Sequence, residues 1–319
     1  MTAPGRWERV GALGTWLAVA AVGLVMLSQA VGWDGATPVA AAHALTPYLV
    51  VVVVVGAGLS LWRKWHELGV VSSLVGVAML LLAAPIVFPP AQARADPDAA
   101  SLRVGAVNLL YRNDRTLDVA DDLATRDLDV IVFSEYTAEH QAVLLSHELA
   151  TMLPHREDRD GLFAGGVAVW SRFPVRPDVP PDTINYSVDL TVDGPDGPVR
   201  VFAVHPPTPV FDFDDWRRDL DLIGEVADRP GPPTLVIGDF NASYWHPVFR
   251  RLLHRGLTDA HMALGAGWST SWPTDRWFPP FVRLDHALTG NGLVSTDIED
   301  FQVPGSDHAG LVVTVSPTR

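Results

Sequence analysis

The chain is 319 residues long, enough for one large domain, with 48% hydrophobic residues and a formal net charge of −14. It has no cysteine, which excludes disulfides, thiolate metal sites and cysteine nucleophiles. Any metal must therefore be held by oxygen or imidazole.

The apolar residues concentrate first in three runs, about 10–31, 42–61 and 68–88. Each is long enough to cross a bilayer as a helix, which takes roughly 20 residues. None carries the charged stripe at a 3.6-residue period that a soluble bundle shows, and Pro47 and Pro85 fall near run ends. Residues 1–90 thus read as a membrane anchor of three transmembrane helices. Arg6 and Arg9 precede the first run and Arg63 and Lys64 follow the second, whereas 32–43 holds no Lys or Arg. Positive charge stays inside, so the N-terminus is expected in the cytoplasm and everything after the third run outside it.

The stretch PPAQARADPDAA then reads as a short unstructured linker, centred on 91–100, before an outer domain spanning 101–319. Residues 1–95 hold 5 basic and 3 acidic residues, leaving 18 basic against 34 acidic, a net of −16, for the remainder. That surface is poorly suited to a polyanion.

Within the outer domain, LRVGAVNLL and DVIVFSEY read as buried strands joined by the amphipathic helix TLDVADDLATRD. GGVAVWSRFPV follows, then TINYSVDLTV and VRVFAVHP form a hairpin around DGPDG. DDWRRDLDLIGEVAD is a helix, TLVIGDFN a strand, and HPVFRRLLHRG a helix closed by Gly256. FVRLDHALTG, DIEDFQV and AGLVVTV supply further strands. Strands alternating with helices around an antiparallel hairpin imply a mixed-sheet sandwich.

Each strand ends in a residue that a core would not select. Asn108 closes the first, Glu135 the second, and His205 the hairpin; Asp239 and Asn241 close the next, Asp285 lies on another, and Asp307-His308 precede the last. A side-chain period of two sends Asp239 and Asn241 to the same side of an extended backbone, where they could hold a metal or a phosphate. Taken singly, each has a plainer reading as a turn or cap residue. Together, on rigid strand ends facing one crevice, they mark a site. His246, His254, His261 and His286 lie near these motifs and read as surface or packing residues.

These segments resemble the endonuclease/exonuclease/phosphatase superfamily of metal-dependent phosphoesterases, which includes pancreatic-type deoxyribonuclease, abasic-site endonucleases and neutral sphingomyelinases. The resemblance covers about 101–316 and rests on AVNLL (106–110), FSEY (133–136), VWSRFPV (169–175), AVHP (203–206), GDFN (238–241), RLDHAL (283–288) and GSDHAGLVV (305–313), in the family's order. Ser134 stands where a glutamine often precedes the glutamate, and no nucleic-acid recognition segment is found.

The resemblance implies a four-layer αββα sandwich, here preceded by three transmembrane helices, and an Mg²⁺- or Mn²⁺-dependent phosphoester hydrolase. Glu135 would be the principal metal ligand with Asn108 beside it, and Asp307 a further ligand or a support. Asp239 would orient or deprotonate the attacking water, and Asn241 would donate to the phosphorus centre. His308, oriented by Asp285, would bind the phosphate or take the water's proton, and His205 would be a second donor. Trp277 and Phe278, next to prolines in the stretch before Asp285, would face the substrate. The expected substrate is a lipid headgroup or another envelope phosphoester, with the bilayer as partner. The alternatives are an extracytoplasmic nuclease on DNA or RNA, which the acidic surface disfavours, and a non-catalytic membrane protein that keeps the fold.

Overall fold

The computed structural model describes residues 6–89 and 91–319. Four helices come first: α1 Arg6–Ala30, α2 Thr37–Ala44, α3 Thr46–Arg63 and α4 His66–Val87. Of these, α1, α3 and α4 are long and apolar enough to cross a membrane. Their outward faces expose Leu17, Leu24, Val51, Leu74 and Leu80, whereas Val22, Met26, Val53 and Met79 pack inside the bundle. The second apolar run starts differently from its sequence outline. Its first residues belong to α2, and the chain breaks at Leu45 before α3 restarts with Pro47 in the first turn, where a missing N–H leaves no bond unmade.

The outer domain contains β1 Leu102–Asn108, α5 Thr116–Ala124, β2 Val130–Ser134, α6 Ala138–Ser146, α7 Leu149–Met152, β3 His155–Arg159, β4 Val167–Ser171, β5 Val175–Pro177, β6 Val188–Gly194 and β7 Gly197–Val204. It continues with α8 Phe213–Ala227, β8 Thr234–Asp239, α9 Pro247–His254, β9 Thr258–Asp259, α10 Ala260–Ala263, β10 Asp285–Gly290, β11 Leu293–Gln302 and β12 Ala309–Pro317. Two six-stranded sheets form, in the orders β11-β12-β1-β2-β4-β3 and β5-β6-β7-β8-β10-β9.

Period-two alternation explains how they stack. Val104, Ala106, Val130 and Val132 of one sheet meet Leu190, Val201, Leu235 and Ile237 of the other in a shared core. The opposite faces are apolar as well, so each sheet needs a helical cover. Val119, Leu123 and Leu144 from α5 and α6 cover Val107, Ile131 and Phe133, while Trp216, Leu220, Leu252 and Phe249 from α8 and α9 cover Phe202, Val204 and Val236. The result is the four-layer αββα sandwich. The DGPDG hairpin joins β6 and β7 with Gly194 opposite Gly197.

Several elements lie outside the sequence outline. β3 is the run HREDR, an edge strand paired only with β4, and its charges suit an edge while hiding the strand from any hydrophobic pattern. In TINYSVDLTV regular pairing starts only at Val188, and in FVRLDHALTG only at Asp285.

The stretch after α4 has no helix, yet it is tied to the sandwich. Gln92 Nε2 donates to Ser295 O at 2.9 Å, Asp96 N donates to Pro317 O at 2.9 Å, and Ala95 bridges Thr318. The N-terminal helices also dock directly on the sandwich. Arg250, buried, donates to Gln29 Oε1 at 3.2 Å and to the carbonyls of Tyr244 and Trp245 at 3.0 Å. Asp34 accepts from Val248 N at 2.6 Å and pairs with Arg251 at 2.8 Å. His246, as a packing residue should, is buried against Ala40 O at 3.0 Å.

Gly238, next to Asp239, has φ of +140°, and a Cβ there would stand 2.3 Å from the Val204 carbonyl oxygen. Strained backbone of this kind costs about 1–3 kcal/mol for a non-glycine residue, before the clash is counted. Gly238→Ala should therefore lower the thermal midpoint of the detergent-solubilised chain by about 4–8 °C, as expected for a loss of about 2 kcal/mol in a domain of this size. An unchanged midpoint would show that β7 and β8 do not approach this closely.

Candidate active site

Register brings the strand-end residues together. β1 and β2 run parallel with Asn108 opposite Ser134, so Glu135 follows immediately beside Asn108. β7 and β8 run parallel with Val204 opposite Gly238, which sets His205 next to Asp239. β10 runs antiparallel to β8 with Asp285 opposite Asp239, and β12 begins just after His308. Strand ends and strand starts therefore meet at one edge of both sheets.

At this edge the buried Asp239 carboxylate gathers partners from several elements. Its Oδ2 accepts from Asn108 Nδ2 at 3.0 Å and stands 3.6 Å from His205 Nε2 and 3.8 Å from His308 Nε2. Its Oδ1 accepts from Asn241 N at 2.8 Å. Asn108 Nδ2 also donates to Glu135 Oε1 at 3.1 Å, and the Tyr111 N–H donates to Glu135 Oε2 at 2.8 Å. Glu135 and Asn241 both have positive φ, 54° and 47°. Non-glycine residues hold that conformation only where their surroundings impose it, and such strain gathers at functional sites. Around Glu135 the constraint is visible: His140 Nδ1 lies 3.1 Å from its carbonyl oxygen, and Tyr136 N donates to Gly166 O at 3.1 Å.

His308 is held between two carboxylates. Its Nδ1 is 2.9 Å from Asp285 Oδ2 while Nε2 faces Asp239. Burial disfavours the charged ring, but Asp285 and Asp239 outweigh it and the pKa is pushed up to about 10. Burial likewise raises Asp239 above the usual carboxylate range; His308 and His205 pull it down and Asp285 pushes it up. His308 is thus held in its charged form at neutral pH.

Asp307 and Asn241 are supported differently. Asp307 Oδ2 accepts from the Trp272 indole N–H at 3.1 Å, and its Oδ1 is buried with no hydrogen-bond partner among the described residues. Asn241 Nδ2 donates to Pro206 O at 3.0 Å. Trp277 is exposed and Phe278 half-buried, with their rings 5.5 Å apart on the loop that carries Trp272.

The donor set suits a hard divalent cation. Asp239, Asp285 and His308 offer ligand atoms within 4.8 Å of one another, Glu135 adds a half-buried carboxylate, and the orphaned Asp307 Oδ1 is an acceptor that a cation would satisfy. His308 Nδ1 is taken by Asp285, and Asn108 turns its amide nitrogen toward Glu135 and Asp239 while its Oδ1 accepts from Leu110 N at 2.9 Å, so a metal held by Glu135 and Asn108 requires the Asn108 amide to turn over.

Some supporting residues carried no sequence signal of their own. Ser306 Oγ donates to Asn108 O at 2.7 Å and accepts from His308 N at 3.0 Å, tying the two ends of the site across one sheet. Ser271 Oγ accepts from Leu284 N and Asp285 N. Ser306 lies inside GSDHAGLVV, so its motif pointed to it, whereas Ser271 is marked only by the fold. His286 and His261 are buried and paired with Asp259 at 2.7 Å and Asp300 at 3.1 Å, whereas His254 is exposed.

Solved structures of low identity share this fold. Humanized D. rerio TDP2 with 14 mutations is 14% identical, covering 68% of this chain and 99% of its own, at a TM-score of 0.58. The endonuclease/exonuclease/phosphatase from Beutenbergia cavernae DSM 12333 is 19% identical, covering 68% and 72%, at 0.52. The 3' phosphatase NExo from Neisseria, bound to a product DNA hairpin, is 20% identical, covering 66% and 98%, at 0.53. A sequence search of curated proteins found no match. The family match itself runs over residues 104–308, from within β1 to the histidine beside Asp285, and the chain belongs to the Endonuclease/Exonuclease/phosphatase family.

Proposed function

We propose that this chain is a membrane-anchored phosphodiesterase, dependent on Mg²⁺ or Mn²⁺, that hydrolyses a lipid headgroup or a related envelope phosphoester outside the cytoplasm. One observation carries the reading: a buried carboxylate, Asp239, braced by Asn108, Asn241, His205 and His308 where both sheets end. Three apolar helices with exposed apolar faces support the anchor, and the placement of Arg6, Arg9, Arg63 and Lys64 supports the orientation.

Glu135 and Asn108 would hold the metal, with Asp307 as a further ligand or a support. When bound, it would neutralise charge developing on a phosphoryl oxygen. The protein's own residues would do the rest. Asp239, whose raised pKa makes it a better base than an ordinary carboxylate, would orient a water and take its proton as the water oxygen attacks phosphorus. Asn241 would donate to the phosphoryl group. As the bond from phosphorus to the leaving oxygen breaks, His308, already protonated, would give that oxygen its proton, and His205 would be a second donor. Asp285 would fix the orientation and charge of His308.

The nuclease reading has two observations in its favour: the Neisseria structure that shares the fold holds a DNA hairpin, and a D. rerio TDP2 structure that shares it holds a single-strand DNA product. Against it stands the net charge of −16 after residue 95, since nucleic-acid affinity is dominated by basic contacts to phosphate.

Two outcomes are expected. The purified full chain should hydrolyse phospholipid or sphingomyelin in mixed micelles faster than plasmid DNA, lose activity in excess chelator, and recover it with Mg²⁺ or Mn²⁺; Glu135→Ala should abolish the activity while leaving the thermal midpoint within a few degrees. Efficient DNA cleavage with every lipid untouched would establish the nuclease instead.

The second concerns pH. A histidine whose pKa is higher folded than unfolded adds stability that is complete below the unfolded value, about 6.5, and is lost as pH rises through the folded value. In chelator, wild-type stability should therefore fall as pH is raised from neutral toward about 10, and Asp285→Asn should flatten that slope. Equal slopes in the two proteins would remove the Asp285–His308 pairing from the account.

A further inference from the structure

Strands β1, β2, β7 and β8 all run toward the edge that carries Asn108, Glu135, His205 and Asp239. The chain reaches the opposite edge first, where Ala95 bridges Thr318 and Asp96 N bonds Pro317 O, and β1 then runs back. Contacts with the anchor gather at the site-bearing edge. In the loop after β7, Pro209 O accepts from Thr37 Oγ1 at 2.9 Å; in the loop before β10, Phe281 O accepts from Tyr48 OH at 2.8 Å. In the loop after β8, Tyr244 OH donates to Leu82 O at 2.8 Å. Leu82 lies 87 − 82 = 5 residues before the end of α4, about 7.5 Å down its axis at 1.5 Å per residue. The outer domain therefore sits against the helix ends, with its site edge toward them.

Loops around the same edge project large apolar side chains that no described residue covers. Leu162 is 88% and Phe163 74% exposed in the loop before β4, with Phe163 6.1 Å from Tyr111, whose backbone N–H holds Glu135. Phe211, just beyond Pro209, is 90% exposed, and Trp277 is 95% exposed. Trp277 is linked ring to ring through Phe278 and Phe281 to Tyr48 of the anchor, at centroid spacings of 5.5, 6.0 and 6.4 Å. Isolated exposed apolar residues are ordinary. Four on three loops around the candidate site's edge, one of those loops bonded to α3 and another to the short helix α2 that leads into it, form a surface.

We infer that the active-site edge is docked face-down on the bilayer, with Leu162, Phe163, Phe211 and Trp277 seated in the outer-leaflet interface, so that the site takes its phosphoester from the membrane plane. The occupant of this apolar rim is the lipid surface itself, because Tyr48 at the outer end of α3, and Thr37 of α2 in the connection between α1 and α3, fix two of its loops beside the outer ends of the spans. Aromatic and aliphatic side chains gain most at that depth, where apolar faces bury about 5–10 Å into the headgroup region. This inference rests on α1, α3 and α4 spanning a membrane. It gives the anchor a role beyond tethering, since it sets which way the site faces.

The absence of cysteine allows a direct test. Phe163→Cys, Phe211→Cys and Trp277→Cys in the full chain, each labelled with an environment-sensitive fluorophore, would be reconstituted in phosphatidylcholine vesicles carrying a headgroup-level nitroxide quencher. Pro195→Cys, at the β6–β7 tip on the opposite edge, serves as the control position. The three rim labels should be quenched about twofold or more relative to the label at position 195, as interfacial burial requires. Quenching of the rim labels no greater than that at position 195 would overturn the inference. Because the readout needs no turnover, rim quenching in a chain that hydrolyses no lipid would uphold the docking and count against the proposed substrate alone.

Discussion

A buried carboxylate is destabilising unless its charge and lone pairs are matched, and Asp239 finds its matches only where two separate sheets end together. Asn108 reaches it from the first sheet and His205 from the second; His308, also from the first, is in turn held by Asp285 of the second. The polar contacts of the site are therefore stitches across the sandwich. The apolar layer of Val104, Val132, Leu190 and Ile237 sets the spacing of the sheets, and these few hydrogen bonds fix their register at one edge. A slip of β1 or β8 by one residue in its pairing would turn that strand's side chains to the opposite face and undo both core and site.

That dependence explains what could be read from the sequence. A strand buried on both faces is a continuous apolar run, so its end is conspicuous when an Asn, Glu, His or Asp interrupts it; Asn108, Glu135, His205 and Asp239 were legible for that reason. The helices α8 and α9 were legible because Trp216, Leu220 and Ile223, or Phe249 and Leu252, repeat at the spacing of a single buried face. The charged edge strand β3 and the consecutive apolar residues of α6 have no such periodicity. Ser271 and Gly166 act through contacts set by the fold, and a lone serine or glycine carries no mark of them.

The larger gap lay between the anchor and the outer domain. The Ala/Pro-rich stretch after α4 reads as a tether, yet Gln29, Asp34, Thr37 and Tyr48 bond to residues more than 170 positions later. No local pattern encodes a partner at that separation, and Gln29 or Asp34 alone looks like an ordinary helix-end residue. The consequence is functional. The loop that follows Asn241 is held by Arg250 and Gln29, so α1 braces the segment that carries part of the candidate site. An acidic sandwich, apolar N-terminal helices clamped to the edge of the candidate site and an apolar rim form one arrangement. In the proposed function it would serve a phosphoester lying in the membrane rather than a long polyanion in solution.

Central to this account is that Glu135 and the carboxylates near it bind a divalent cation, and binding can be measured without substrate. Mn²⁺ titrated into the metal-free full chain and followed by electron paramagnetic resonance should be taken up by the wild type, retained by Trp277→Ala and lost from Glu135→Ala, with a higher thermal midpoint wherever it binds. Equal Mn²⁺ uptake by wild type and Glu135→Ala, or none by either, would contradict the account.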